Sequence, residues 1–297
     1  MLNINNDFST TVSGKWILAG EHAVVRGGPA ILFPLKAYQL SLSFLSGSSP
    51  FSLHLDGLLN YQHQKTIEHL LHYALTLLKQ AKLPEGKLTI TNLIPISSGL
   101  GASAALCTAL TEWFIHLGWV STNKLIDFAR QLEDLFHGES SGADIAVTAS
   151  RRPIYFVRNK LIESFVPSWQ PKWYLSHSGQ VSSTADCLKK VAHLFQTHPE
   201  KAQHADELMK SSVLMAKHAL TLNSQVGLPL LKEAIEQSCS AFNQWGLVNT
   251  QLNLTMSSLM KAGALATKPT GSGDGGYILS LWPHQAKPQN VNEFIPL

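Results

Sequence analysis

The stretch Pro95-Ile96-Ser97-Ser98-Gly99-Leu100-Gly101-Ala102-Ser103-Ala104-Ala105 constrains this chain more than any other. Before it, Lys87-Leu88-Thr89-Ile90-Thr91 alternates polar and apolar residues and predicts a half-buried strand. After it, Ala104 to Phe114 is made of good helix formers with no breaker. Two glycines and several small side chains therefore stand where a strand turns into a helix. The first N–H groups of a helix have no internal partner, and the helix dipole adds partial positive charge, so a phosphate fits there. Glycine lets the backbone come close to such an anion. No Lys follows the second glycine, so the stretch is not a Walker loop, and its spacing is not that of the dinucleotide fingerprint. Taken alone, a Gly-x-Gly turn before a helix is more often a tight connection than a ligand site.

A core large enough to carry such a site is available. The chain has 297 residues, enough for one large domain or two of ordinary size, and 44% of them are hydrophobic. Only 14% are charged and the net charge is +3, with Lys and Arg scattered, which gives no reason to expect nucleic acid. Cys107, Cys187 and Cys239 share no metal or redox spacing, and so sparse a set fits a reducing cytoplasm. His63, His69 and His72, the densest histidines, match no zinc signature and read as a wet helix face. Met1 to Asp7 does not read as a signal peptide, and no run approaches the ~18 apolar residues of a membrane span.

Thr11 to Leu45 is strand-like, with Gly20 and Gly27-Gly28-Pro29 as punctuation. Helices are expected over Thr66–Lys82, Asn123–His137, Thr184–Gln196, Ala205–Leu222, Gly227–Phe242 and Leu252–Gly263, and strands over Ile154–Val157 and Tyr277–Leu281. Pro167-Ser168-Trp169-Gln170-Pro171 is the expected linker, dividing an N-terminal domain over 1–167 from a C-terminal one over 168–297. Strands and helices mix without strict alternation, so the expected class is α+β.

Three further stretches carry candidate chemistry. Lys15, Glu21 and His22 flank a short buried strand and its exit, where polar groups need a reason to be. In Glu133-Asp134-Leu135-Phe136-His137-Gly138-Glu139-Ser140-Ser141-Gly142-Ala143-Asp144, an advance of about 100° per residue puts Glu133 at the border of the apolar face and Asp134 opposite it, in solvent. Ser103 either caps its helix or coordinates Mg²⁺, which takes one or two protein oxygens. Asp144 either caps the next helix or acts as a general base on a hydroxyl. Finally, Lys268-Pro269-Thr270-Gly271-Ser272-Gly273-Asp274-Gly275-Gly276 precedes a strand and is too glycine-rich for a hairpin; a backbone pressed against a ligand or another loop explains it.

Together these stretches resemble the GHMP kinases. Gly20-Glu21-His22-Ala23-Val24-Val25 with Gly28-Pro29-Ala30 looks like that family's substrate-side motif, and Pro95 to Ala105 like its phosphate loop. His137-Gly138 with Ser141-Gly142-Ala143-Asp144 resembles the segment of the catalytic Asp, and Lys268 to Gly276 the C-terminal glycine motif. The motifs stand in family order between residues 14 and 277.

The resemblance implies a two-domain α+β fold with the active site in the inter-domain cleft, and an ATP-dependent kinase acting on a small alcohol. By the same resemblance Asp144 is the general base and Lys15 the lysine beside it. Ser103 and Glu133 bind Mg²⁺, and Pro95, Ser97, Ser98, Gly99, Leu100, Gly101, Ala102 and Ser103 hold ATP. Lys15, Glu21, His22 and Asp144 face the acceptor, and Thr270, Gly271, Ser272 and Gly273 buttress the phosphate loop. The implied acceptor is the 5-hydroxyl of mevalonate, an isoprenoid precursor, whose carboxylate needs a cation that Lys15 or His22 would supply in part. Phosphomevalonate, another alcohol or a sugar is the alternative, although Ala23-Val24 stands where galactokinases usually carry Asp-Tyr. A non-catalytic nucleotide sensor is the alternative from another class, and a homodimer is left open. Two departures are visible: Ala102 replaces a common serine, and Asp274 a usual glycine.

Overall fold

The computed structural model describes residues 7–96, 98–137, 140–286 and 294–297, and the backbone alone at residue 137. Helices and strands are mixed, as the α+β expectation required, and the chain falls into two compact units that interleave along the sequence. Residues 1–14, 38–96 and 100–151 form the first, and 15–37, 97–99 and 152–297 the second. Both 167 and 168 lie in the second unit. The reason is that two long strands, β1 (Phe8–Ala19) and β2 (Pro29–Ser46), each contribute to both units.

In the first unit, β2 runs antiparallel to β4 (Gly86–Asn92), with Leu42 opposite Ile90 and Phe44 opposite Leu88. β3 (Ser52–Gly57) lies parallel to β4. A parallel pair needs a crossover, and α1 (Tyr61–Leu78) supplies it, burying Ile67, Leu70, Leu71 and Ala74. This helix starts earlier than its apolar spacing predicts because Asn60 caps it. Asn60 Oδ1 accepts from the N–H groups of Gln62 and His63, and His63 Nδ1 accepts from Asn60 N–H at 3.1 Å. His63 is thus a capping partner, while His69 and His72 are exposed as expected.

Three more helices complete this unit: α2 (Ala102–His116), α3 (Leu125–His137) and α4 (Ala143–Ser150). Every residue of α2 from Ala104 to Thr111 is buried, the mark of a helix covered on all sides. Both α3 and α4 pack on it, and a buried Thr108–Thr148 hydroxyl pair at 2.9 Å ties α2 to α4.

In the second unit the start of β2 pairs antiparallel with β5 (Ile154–Val157), which pairs with β6 (Leu161–Ser164). Trp16 stacks on Phe33 at 4.7 Å and meets Trp173 edge-on, an apolar cluster that fixes the end of β1. β7 (Lys172–His177), β8 (Ala266–Thr270), β9 (Tyr277–Trp282) and β10 (Phe294–Pro296) form a separate sheet in the order β10-β7-β9-β8. With it go α5 (Thr184–Thr197), α6 (Pro199–Thr221), α7 (Ser224–Gln244) and α8 (Thr250–Lys261). The expected linker is irregular but not loose. Ser168 N–H and Trp169 Nε1–H donate to the carbonyls of Leu220 and Ala219, satisfying last-turn acceptors of α6. No helix among the described residues is long and apolar enough to cross a membrane.

Candidate functional site

Of the expected site residues, Lys15, Glu21, His22, Ser98, Gly99 and Thr270 to Gly273 fall in the second unit. Lys15, Glu21 and His22 are 3%, 3% and 6% exposed, so each polar group has been taken out of water. Such burial is costly unless partners are supplied. Glu21 Oε1 is supplied with one: Lys268 Nζ lies 2.5 Å away, and both side chains are buried. Burial pushes the Glu21 carboxyl up from its ordinary value; the Lys268 ammonium is the largest influence opposing this, and Lys15 also opposes it. Burial pushes Lys268 down, with Glu21 opposing.

His22 is set differently. Its Nε2 lies 2.8 Å from the carbonyl oxygen of Ser272, which can only accept, so Nε2 carries the proton. Burial pushes the ring down to about 4, so it is neutral at pH 7. A neutral ring at pH 7 is not the cation that was one of two expected options, Lys15 or His22, for an acceptor's carboxylate. Burial has a cost at low pH, because the unfolded ring binds a proton near 6.5 and the folded ring does not until about 4. The contribution of His22 to stability is full above about 6.5 and is lost as pH falls toward about 4. Chemical denaturation from pH 7 to pH 4 should show wild type losing stability relative to His22→Asn. Asn is chosen because His22 has φ 58°, a value Asn tolerates better than most residues. A pH-independent difference would contradict the neutral ring.

The C-terminal glycine loop is held from several sides. Thr270 Oγ1 donates to the Ile17 carbonyl at 2.9 Å, and the Ser272 hydroxyl meets that of Ser182 at 2.9 Å. Lys268 to Thr270 belong to β8, so the loop proper begins at Gly271. A Cβ on Gly276 would sit 3.9 Å from the Ser98 carbonyl, which places part of the N-terminal glycine loop beside the C-terminal one. Asp274 pairs with Lys190 of α5, and its carbonyl accepts from Asn249 Nδ2 at 3.0 Å. The negative charge that departs from the family pattern is thus met by a lysine.

The first unit carries Pro95, Leu100, Gly101, Ala102, Ser103, Glu133 and Asp144. Asn92, at the end of β4, shapes the approach to the loop: its side chain donates to the Ile94 carbonyl at 2.8 Å and accepts from Ile94 N–H at 3.2 Å. Leu100 is buried and anchors the loop before α2. Ser97, Gly138 and Glu139 lie outside the described residues.

Two helix starts in this unit share a design. The N-cap of α2 is Gly101, φ 82°, and that of α4 is Gly142, φ 80°. Glycine reaches these left-handed values without a Cβ clash, and neither cap supplies a side-chain acceptor to the first-turn N–H groups. Ser103 and Asp144 each stand at the second helical position, so neither is the N-cap residue of its helix.

Glu133 is 2% exposed. It acts on Cys107, whose buried thiol is pushed up mainly by desolvation and then by the Glu133 charge. Cys107 lies one turn beyond Ser103 on α2, on the same face. Asp134 is not simply solvated, as the helix-face argument expected; its Oδ1 accepts from Ser140 N–H at 3.0 Å. Chemically, this unit offers two helix N-termini, whose dipoles favour an anion, a hydroxyl with a carboxylate as hard oxygens, and Asp144 for a proton. Reading the sequence singled out neither the Glu21–Lys268 pair nor Asn92. The available signals were a lone lysine ahead of the C-terminal glycine run and an Asn at a strand end.

Residues 64–152 match the family model described as the GHMP kinases N terminal domain. The mevalonate kinase of Archaeoglobus fulgidus is 29% identical over 279 residues, covering 91% of this chain and 90% of that protein. Among solved structures, the L. major mevalonate kinase in complex with R-mevalonate has a TM-score of 0.79 at 21% identity, covering 95% of this chain and 90% of that one. The Lactococcus lactis galactokinase complexed with galactose has a TM-score of 0.74 at 14% identity, covering 94% and 86%. At those identities the two structures share the fold with this chain.

Proposed function

We propose that mevalonate is the acceptor, phosphorylated at its 5-hydroxyl, on the premise that this chain belongs to the GHMP kinase family and is an ATP-dependent phosphotransferase acting on an alcohol. One observation carries the choice of acceptor: a relative named mevalonate kinase aligns with 91% of the chain and 90% of its own length. The fold does not make that choice, since a galactokinase shares it.

Phosphoryl transfer asks a protein for positioning and charge stabilisation more than for covalent chemistry. The N-terminus of α2, with Ser98 and Gly99, holds the ATP phosphates. Asp144 accepts a hydrogen bond from the acceptor hydroxyl and takes its proton. The oxygen attacks the γ-phosphorus, the bond to the β,γ-bridging oxygen breaks, and ADP leaves. Lys15 stabilises the negative charge that develops on the attacking oxygen.

Ser103 and the buried Glu133 offer hard oxygens of the kind Mg²⁺ takes, and these two residues would hold it. When bound, the ion neutralises charge on the phosphate oxygens.

ADP release from Mg-ATP, with mevalonate, phosphomevalonate, homoserine and galactose offered separately, tests the acceptor. Release with mevalonate alone is expected. Release with a different alcohol alone would overturn the choice of acceptor while keeping the reaction.

A further inference from the structure

Lys268 is the least expected residue of the second unit. It sits on β8 among residues that are all buried, is itself 0% exposed, and comes 247 residues after the glutamate it pairs with. Its ammonium also lies over the Phe242 ring at 5.4 Å from the centroid. Stability alone explains this pair poorly. A buried ion pair is commonly no better than two apolar side chains of similar volume, because desolvation offsets the attraction.

What the pair leaves over is informative. Lys268 engages only Oε1 of Glu21; the other oxygen, Oε2, is buried and has no hydrogen-bond partner among the described residues. The next residue repeats the pattern. The Nε2–H of His22 is used on the Ser272 carbonyl, and Nδ1 is buried with no partner among the described residues. Two consecutive residues of the acceptor-side motif thus each end in a buried hydrogen-bond acceptor. Buried acceptors are normally satisfied, so these two call for a ligand that brings donors.

We propose that Lys268 is a positioning residue of this phosphotransferase: its ammonium holds Glu21 as an oriented anion whose Oε2 accepts a hydrogen bond from the acceptor alcohol. The donor it suits is a hydroxyl other than the one that reacts, which would make the pair a device for reading alcohols with a second hydroxyl. The inference rests on the phosphotransferase activity and on Glu21 facing the acceptor, not on mevalonate in particular.

The test uses the full chain, Mg-ATP, and whichever alcohol the wild type phosphorylates, so an error over mevalonate leaves it standing. A hydrogen bond to a charged acceptor is strong enough that Lys268→Met should raise the acceptor KM about tenfold or more, with the ATP KM within about twofold. Without the ammonium, burial acts on Glu21 with less opposition, so Glu21 protonates at higher pH. The acid limb of the acceptor kcat/KM profile should therefore move to higher pH than in wild type. Because one buried charge left alone can unfold a protein, the double variant Glu21→Leu/Lys268→Met accompanies it. That variant should keep a Tm close to wild type yet retain the raised acceptor KM. A double variant with the wild-type acceptor KM would overturn the proposal, as would Lys268→Met with both KM values changed equally and no shift in the pH profile.

Discussion

Asp144→Asn should lower kcat by a factor of about 10³ while leaving the dissociation constant of Mg-ATP within about twofold, as expected for loss of a general base. The amide is nearly isosteric with the carboxylate and still accepts a hydrogen bond, but it cannot take the proton of the alcohol. The structure argues that the substitution is clean. Asp144 lies at the second position of α4, and the N-cap is Gly142, so the substitution leaves the N-cap residue unchanged. The Thr148 hydroxyl donates to the backbone carbonyl of Asp144, a bond the substitution leaves in place. Stopped-flow or steady-state turnover, paired with calorimetric binding of Mg-ATP, separates the two quantities. Near-normal turnover would remove Asp144 from the role.

Glu133→Gln has the second largest expected effect. It should raise the Mg²⁺ concentration for half-maximal activity about tenfold or more, because an uncharged amide is a poor ligand for so hard a cation. Asp134→Asn should change it less than about twofold, being directed about 100° around α3. The two residues are adjacent in sequence and equally acidic, and only geometry distinguishes them. Glu133 is buried, whereas Asp134 is half-buried and closes the end of its own helix through Ser140 N–H. Asn at 134 keeps an oxygen for that bond, so the control should also keep its stability. Titrating Mg²⁺ at saturating ATP and acceptor gives the comparison, and equal effects from both substitutions would contradict the assignment.

What was legible in the sequence had a local cause. The glycine loop before α2, the apolar faces of α3 and α5, and the paired runs of β1 and β2 all follow from spacing and composition. The start of α1 lies five residues before the expected Thr66 because Asn60 and His63, not apolar periodicity, set it. Short strands such as β3 and β6 carry too few residues for alternation to stand out. At the site, small-residue patterning singled out Ser103, Glu133 and Asp144 as candidates, but did not show that glycines are the N-caps of both helices. The state of His22 was beyond reach, since its neutrality comes from burial made by tertiary packing, against the opposing pull of a carbonyl 250 residues away. The same holds for Glu21 and Lys268, whose partnership is made entirely by tertiary packing.

The central claim is the transfer of one phosphoryl group from ATP to a particular oxygen, and product analysis tests it most directly. Incubation of the chain with Mg-ATP and mevalonate, followed by phosphorus NMR, should show a single new phosphate monoester coupled to the methylene protons at carbon 5, with ADP formed in equal amount. A monoester on the tertiary hydroxyl, or ADP accompanied only by inorganic phosphate, would contradict it.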